Sequence, residues 1–294
     1  MINEDWKYLS LREFNAETFQ QLPKIQQAIS ITEAKLYTLV LNTQAQHARH
    51  HDIDIIVQEN VHAELLIQCC SEDALKSSLH LVTRISLQKH ASLTLYYQQN
   101  INIMSYLFHH MSVTQAQASE FNFFGMERGG KLARTDLHVK LNAAQAACHL
   151  NGLYKTKGKQ VIDHHNSIEH CVEHCTSSEN FRGIAEDQSR AIFNGKIVIA
   201  KDAQKSVTQQ MNKNLLLSNQ AEIDTKPELH IDADDVKASH GATIGYLEPE
   251  ALFYLQARGI DFATAKTMLV HGFAREPFLS IKNLTIQEAF YEHC

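Results

Sequence analysis

The chain has 294 residues, and its 27 Lys and Arg against 33 Asp and Glu give a formal net charge of −6 with histidine neutral. That balance disfavours a nucleic-acid partner bound through a general basic surface, and 44% hydrophobic residues exclude a disordered chain. Only 11 Gly and 4 Pro exclude a Gly- or Pro-rich linker protein, and no uninterrupted apolar run is long enough to span a membrane.

The amino terminus and the cysteines indicate the compartment. Residues 1–7 contain no basic segment followed by an apolar one, so we expect no secretory signal. Six cysteines are too few for a disulfide scaffold in a chain of this length. Both features predict a protein of a reducing compartment, and we expect the cytoplasm.

In chain order, the first predicted element is a polar, weakly helical lead-in over residues 1–30. From about 31 to 246 apolar and polar residues alternate, which is the period of β-strands. The strands are short, and no long helical pattern separates them, which disfavours a βαβ fold and favours an all-β stack, barrel or solenoid. The clearest alternating segments are residues 93–97, 137–142, 191–199 and 228–234.

Turn signals are scarce in this region. Hairpin proteins usually contain many Gly and Pro turns, whereas a solenoid turns through polar corners, so the scarcity favours a solenoid. The Asn-Gly pairs at Asn151 and Gly152 and at Asn194 and Gly195 are the turn candidates. No strict sequence repeat accompanies them, which weakens the inference.

Residues 247–294 have a helical period instead. Pro249 suits the first turn of a helix, and Gly259 suits the position just after its end. Asp261 can cap a second helix. This predicts two short helices, suited either to docking a partner or to packing on the protein's own core. The predicted apolar stripe of the second helix is Phe262, Ala265, Met268, Leu269 and Phe273.

Residues 125–131 have the spacing of a phosphate-binding loop. Leu132, however, stands where Ser or Thr must reach the magnesium ion, and strand residues follow instead of a helix. Without a helix N-terminus the row of N–H donors is missing. We interpret the segment as the lead-in to a strand.

Residues 164–175 contain six His and Cys side chains, which could bind zinc or iron. The spacing matches no zinc finger. On an extended strand His170 and His174 would share one face, with Cys171 and Cys175 on the other. A structural or weak-binding role is therefore favoured, and a dedicated metal site is the alternative.

Residues 231–245 predict a strand, an acidic turn and a Gly-flanked loop. Asp234 and Asp235 alone would make an incomplete divalent-cation site. His240 precedes Gly241, which permits close approach, so this imidazole is an open ligand or, more commonly in such loops, a hydrogen-bonding corner. No Ser-His-Asp or Cys-His set can be assembled from the sequence.

Several longer motifs occur in one order along most of the chain and most densely from 160 to 274. They are residues 4–8, 129–134, 182–195, 210–217, 233–236, 239–243 and 253–260. Together they resemble the SufB/SufD family of iron–sulfur cluster assembly proteins. Two of these motifs, Asp234-Asp235-Val236 and Ser239–Thr243, are similar in sequence to the SufD branch. No cysteine lies at 176–293, where SufB carries its cluster-building cysteine.

The resemblance implies a right-handed parallel β-helix over 31–246 with a C-terminal helical region over 247–294. It implies a non-catalytic scaffold subunit of the SUF complex, not an enzyme. Such a subunit pairs with a SufB-like subunit, or with a second copy of itself in its absence, and docks a SufC-like ATPase. Neither nucleic acid nor a membrane is an expected partner.

The resemblance also implies site residues. His240 falls on the family's cluster or iron ligand, which would hold a transient iron–sulfur cluster shared with SufB at the interface. The residues expected near the SufC docking surface are Phe253, Tyr254, Leu255 and Arg258.

This chain also departs from the family pattern. Many SufD sequences have Cys where this chain has Ala238, so that thiol is no ligand here. The chain begins almost at the motif of residues 4–8, so we expect the usual N-terminal helical segment to be missing or much reduced. Flavin binding and cluster type stay open. The alternatives are a stand-alone Zn- or Fe-binding β-helix protein using residues 164–175, and a polysaccharide-directed β-helix enzyme, for which no paired carboxylates can be placed.

Overall fold

The computed structural model describes residues 24–43, 48–71 and 76–294. The predicted lead-in falls mostly outside these ranges, as does the motif at residues 4–8. Its last residues, 24–30, belong to a strand, so the weakly helical prediction was wrong for them. The predicted boundary between residues 30 and 31 consequently falls inside the first strand.

Sixteen strands of the described residues form two parallel sheets of eight strands each. The chain alternates between the sheets, so that each strand pairs with the strand after next, and the result is a two-sided β-solenoid. Sheet A contains β1 (Lys24–Ile31), β3 (Ala48–Val57), β5 (Ser78–Leu87), β7 (Tyr106–Gln115), β9 (Leu132–Leu141), β11 (Val161–His170), β13 (Arg190–Ile199) and β15 (Glu222–Ile231). Sheet B contains β2 (Leu36–Thr43), β4 (His62–Ser71), β6 (Ser92–Ile101), β8 (Glu120–Gly129), β10 (Ala147–Thr156), β12 (Thr176–Ala185), β14 (Val207–Leu216) and β16 (Lys237–Gly245).

Corner residues in the left-handed region of the backbone explain why so little glycine is needed. His90 and His174 have φ values of 58° and 60°. Each donates its backbone N–H to a carbonyl of the next corner, His90 to Gln117 and His174 to Gln204, at 2.9 Å in both cases. The hydrogen bond offsets the strain of positive φ in a non-glycine residue. The corners are thus stacked on one another, as the polar-corner prediction requires.

The two Asn-Gly pairs are not turns, and that prediction was wrong. Gly152 lies in β10 and Gly195 lies in β13. A Cβ at Gly152 would lie 2.3 Å from Cε1 of Phe181, and one at Gly195 would lie 2.2 Å from Nε2 of Gln210. Both glycines therefore make room for large side chains of a neighbouring or facing strand.

The main core fills the space between the sheets. The inward residues of β9, Leu137, Val139 and Leu141, are fully buried, as the alternation predicted. Phe181 of sheet B and Phe193 of sheet A meet with ring centroids 5.3 Å apart. Burial of alternate residues from both sheets is the main stabilising contribution to the solenoid.

The C-terminal region contains α1 (Pro249–Ala257), α2 (Phe262–Arg275), a 3-10 turn (Glu276–Phe278) and α3 (Leu284–Glu292). The first two helices and their signals are confirmed: Pro249 lies in the first turn of α1, and Asp261 caps α2 by accepting from Thr264 N at 3.0 Å. α3 was not among the helices predicted from the sequence. Among the helices of the described residues, none has the length and apolar character to cross a membrane.

α2, the 3-10 turn and α3 cover the outer face of sheet B and form a second core there. Tyr96 and Phe124 of the sheet pack against Phe290 and Phe278 of the helical region.

The predicted apolar stripe of α2 was only partly right. Phe262 and Met268 are exposed, and the residues of α2 that are buried are Ala265, Val270 and Ala274.

Candidate functional site

His240 lies on β16, at the last rung of the solenoid. β16 is the edge strand of sheet B, and β15 is the edge strand of sheet A at the same end. His240 is in register with Gln210 of β14. No further described strand follows on the other side of β16, so this imidazole is exposed. The structure thus leaves His240 at an open end, accessible to a binding partner.

The register shows which face His240 shares. Gln210 and Asn212 of β14 are fully buried between the sheets, and their partners on β16 are His240 and Ala242. Ala238, two residues before His240, packs against the main core. Side chains two apart on a strand share a face, so His240 continues an inward column that is otherwise buried.

Behind His240 runs a line of hydrogen-bonded side chains inside the solenoid. Gln210 Nε2 donates to Glu179 Oε2 at 2.9 Å, and Asn166 Nδ2 donates to Oε1 of the same carboxyl group at 2.8 Å. Asn166 Oδ1 accepts from His164 Nε2 at 2.8 Å, and His164 Nδ1 donates to Glu127 Oε1 at 2.7 Å. All five residues are buried. We call Glu127, His164, Asn166, Glu179 and Gln210 the buried polar chain.

The buried polar chain carries charge. One ring nitrogen of His164 faces a carboxylate and the other faces an amide oxygen, so both nitrogens donate and the imidazole is protonated. Burial alone lowers the pKa of His164, but the negative charge of Glu127 and the hydrogen bonds that the imidazole donates to Glu127 and Asn166 raise it overall. Burial also raises the pKa of Glu179, against the opposing effect of its two amide donors and His164. A buried cation thus lies between two carboxyl groups.

A second polar cluster ties the last strands together. Asn212 Nδ2 donates to the Tyr154 hydroxyl at 3.0 Å, and that hydroxyl donates to Asn214 Oδ1 at 2.5 Å. Asn214 Nδ2 donates to the carbonyl of Thr243 on β16 at 3.1 Å. These contacts hold the edge strand that carries His240 against β14.

The His- and Cys-rich segment is not gathered into one site. β11 ends at His170 and residues 171–175 form a corner, so His170 and His174 do not lie on one extended strand. His170 Nε2 is hydrogen-bonded to Ser177 at 2.8 Å inside the solenoid, whereas His174 is exposed. Cys175 is buried, and its Sγ donates to the carbonyl of Ala143 at 3.4 Å. In the part of the chain that the structure describes, no group of three or more His, Cys, Asp or Glu could hold a metal ion.

The predicted docking residues lie on α1 and just beyond it. Phe253 and Tyr254 are 72% and 57% exposed. Arg258 stacks its guanidinium 4.9 Å from the centroid of the Tyr254 ring. Leu255 is partly buried. We call the exposed aromatic and apolar residues of α1 and α2, with Arg258, the helical patch: Phe253, Tyr254, Arg258, Phe262 and Met268.

The segment with phosphate-loop spacing is a corner between two strands. Gly125 lies within β8, and Gly129 and Gly130, with φ of 86° and 79°, turn the chain towards β9. A Cβ at Gly129 would lie 2.1 Å from the carbonyl oxygen of Ile101, so glycine is required there. No helix follows, which confirms the interpretation as a strand lead-in.

The buried polar chain was not predicted from the sequence. A signal was present: Glu179 shares a strand face with Phe181, and a carboxyl group on an apolar face requires partners. Those partners come from other turns of the solenoid. The sequence could therefore indicate that Glu179 needs partners, but not which residues they are.

Comparison with known proteins gives a family. The SufBD core domain of the SUF system for FeS cluster assembly matches residues 39–273. The iron–sulfur cluster assembly protein SufD of Escherichia coli (strain K12) is 37% identical over 175 residues, which is 60% of this chain and 41% of that protein.

Two further relatives have similar identities. The SufBD family protein slr0076 of Synechocystis sp. (strain ATCC 27184 / PCC 6803 / Kazusa) is 34% identical over 197 residues, 67% of this chain and 44% of its own length. The chloroplastic protein ABCI7 of Arabidopsis thaliana is 33% identical over 215 residues, which is 72% of this chain and 45% of its own length. This chain spans less than half the length of these relatives. The β-solenoid with its helical cover and the match over 39–273 lead to one assignment: the chain belongs to the SufBD core-domain family of the SUF iron–sulfur cluster assembly system.

Proposed function

We propose that this chain is a non-catalytic scaffold subunit of the SUF system and that His240 is its ligand for iron or for a nascent iron–sulfur cluster. The observation that carries the proposal is the position of His240, on the inward face of an edge strand at the open end of the solenoid. A neutral imidazole is a suitable iron ligand beside thiolates. The cluster is the cargo of this assembly reaction, built transiently and then passed on.

The open end supports pairing with a second β-solenoid. β15 and β16 both present an unpaired strand edge there, which is a template for adding strands from another chain. The last strands also leave Ile231 and Ile244 exposed. A SufB-like subunit that extends both sheets would bury these residues and enclose His240 in the junction. A second copy of this chain is the occupant we expect when SufB is absent.

The helical patch supports docking of a SufC-like ATPase. Its exposed aromatic side chains, Phe253, Tyr254 and Phe262, are of the type that dominates the binding energy of protein interfaces. Arg258 beside Tyr254 adds a cation that can pair with a carboxylate of the ATPase. The SufC-like ATPase, and not this chain, would then hydrolyse ATP.

The cysteines support a reducing compartment, and we propose the cytoplasm. All six are free thiols, and three of them, Cys69, Cys148 and Cys175, lie inside the solenoid. A protein of an oxidising compartment would more commonly pair them.

The test is anaerobic reconstitution of the chain with SufB and SufC of the same organism, followed by iron and sulfide analysis. We expect a three-protein complex that accumulates iron and sulfide, and we expect His240→Ala to lose most of both. His230→Ala is the matched control, because His230 is an exposed imidazole on the neighbouring edge strand with Glu228 as its partner at 3.2 Å. Wild-type iron and sulfide in the His240→Ala complex, or a solitary chain with stoichiometric zinc, would contradict the proposal.

A further inference from the structure

We propose that Gln210 is the positioning residue of His240. Its side-chain oxygen accepts a hydrogen bond from one ring nitrogen of His240, which selects the tautomer and leaves the other nitrogen for iron. This inference rests on the proposed role of His240 as a ligand. It concerns a residue that never touches the cluster and acts through the imidazole alone.

The first observation is the orientation of the Gln210 amide. Its Nε2 donates to Glu179 Oε2 at 2.9 Å, and Glu179 belongs to β12 on the side of β14 away from β16. An ionised carboxyl group only accepts, so the amide nitrogen must face Glu179. Because the amide is planar, its oxygen is directed away from the nitrogen. Gln210 Oε1 can therefore accept a hydrogen bond from a side chain of β16.

The second observation is that this oxygen is unpaired. Gln210 is completely buried, and its Oε1 has no hydrogen-bond partner among the described residues. Buried acceptors are normally satisfied, so this oxygen is available to a nearby donor such as the His240 imidazole. The next inward side chain in the column is His240, one strand away. Neighbouring strands lie about 4.8 Å apart, which is within reach of an imidazole N–H after a side-chain rotation.

The third observation is that the surroundings hold the amide in place. A Cβ at Gly195 would lie 2.2 Å from Gln210 Nε2 and 3.0 Å from Glu179 Oε1, so the glycine of the facing sheet makes room for this hydrogen bond. Asn166 donates a hydrogen bond to Oε1, the other oxygen of the Glu179 carboxyl group. The hydrogen bonds of the buried polar chain thus fix the direction in which Gln210 Oε1 points.

The consequence for His240 follows from imidazole chemistry. A neutral ring has one N–H and one unprotonated nitrogen, and an acceptor on one nitrogen keeps the proton there. The other nitrogen then points to the open end as a ligand. Metal-binding histidines are commonly oriented in this way, and loss of the outer partner typically weakens metal binding about 10- to 100-fold.

The variant that tests this role is Gln210→Leu, with Gln209→Leu as the matched control. Gln209 is the neighbouring residue on the same strand, and it is exposed. The first readout is the nitrogen NMR spectrum of ¹⁵N-histidine-labelled chain, with His240 assigned by its absence in His240→Ala. We expect one dominant tautomer in the wild-type chain and in Gln209→Leu, and two mixed tautomers in Gln210→Leu. Two equally populated tautomers in the wild-type chain would overturn the proposal, and this measurement does not depend on whether Gln210→Leu folds.

The second readout is iron and sulfide accumulation in the complex with SufB and SufC. We expect Gln210→Leu to slow it about tenfold or more and Gln209→Leu to leave it unchanged. A folded Gln210→Leu chain that accumulates clusters at the wild-type rate, while His240→Ala does not, would overturn the role of Gln210 and leave the proposed function intact. An unaffected His240→Ala complex would instead overturn the proposed function itself.

Discussion

His164 donates a hydrogen bond to the carboxylate of Glu127 at 2.7 Å, and the two residues belong to opposite sheets of the solenoid. Both side chains are almost completely inaccessible to solvent. A charged pair that spans the interior is therefore part of the packing between the sheets. It also begins the line of hydrogen bonds that ends at Gln210, below His240.

We expect His164→Ala to destabilise the chain by about 3–5 kcal/mol, because it leaves the buried Glu127 carboxylate without its partner. Chemical denaturation followed by circular dichroism measures this loss. His230→Ala removes an exposed imidazole from a pair with Glu228, and we expect it to cost at most about 1 kcal/mol. Equal stability losses in the two variants would contradict a buried ion pair.

Acid should destabilise the solenoid below the ordinary pKa of histidine. Burial lowers the pKa of His109 to about 3 and that of His170 to about 4. The unfolded chain binds protons at these residues near pH 6.5 and the folded chain does not, so the free energy of unfolding falls as the pH drops from about 6.5 towards 4. Denaturation midpoints across this range measure the slope, and His170→Gln should reduce it.

His164 should act with the opposite sign. Its folded pKa is raised, so its contribution is complete below the unfolded value and is lost as the pH rises through the folded pKa. The difference in stability between the wild-type chain and His164→Ala should therefore shrink in alkaline solution. A difference that grows with pH would show that the buried imidazole is neutral.

Gly152→Ala should destabilise the solenoid by about 1–3 kcal/mol, because its Cβ would lie 2.3 Å from the Phe181 ring in a packed core. The matched control is Gly272→Ala in α2, where nothing lies within 4 Å of the added Cβ. Alanine is the better helix former, so the control should stabilise by up to about 1 kcal/mol. Thermal unfolding of both variants checks the contrast, and two changes of the same sign would contradict it.

The helical patch should bind the ATPase through its aromatic residues. We expect Tyr254→Ala combined with Arg258→Glu to weaken SufC binding by about 2 kcal/mol or more, with no loss of fold since both side chains are exposed. Isothermal titration with purified SufC measures the affinity. Leu284→Ala is the control, because Leu284 is an exposed apolar residue outside the patch. An unchanged affinity in the double variant would remove α1 from the docking surface.

Thiol reactivity should follow burial. Burial raises the pKa of Cys69 to about 12 and also raises that of Cys148, so neither forms a thiolate at neutral pH. Cys70 and Cys171 are only partly buried and should be alkylated first. Mass spectrometry after brief iodoacetamide treatment checks this order. Early labelling of Cys69 or Cys148 in the folded chain would contradict the described core.

Local features were predictable from the sequence because their causes are local. Alternation over residues 137–142 indicated a strand, since successive side chains of a strand point to opposite faces. Pro249 and Asp261 marked helix starts, since the unpaired N–H groups of a first turn are satisfied by nearby residues. The scarcity of glycine favoured a solenoid, and its stacked corners carry their own hydrogen bonds.

Features that depend on another turn of the solenoid were not predictable. Gly195 was mistaken for a turn residue because the reason for its glycine is the Gln210 side chain from the facing sheet. His170 and Cys175 were grouped by spacing, yet the strand ends between them.

His240 was identified only through resemblance to a family, because nothing in its own segment distinguishes a ligand from a corner histidine. The sequence by itself determined the strand period, the first two helices and the family motifs. Only the tertiary structure decided that Glu127, His164, Glu179 and Gln210 form one line behind His240. The physical reason is that parallel register joins residues a full turn of the solenoid apart, and that register is set by the packing of both sheets together.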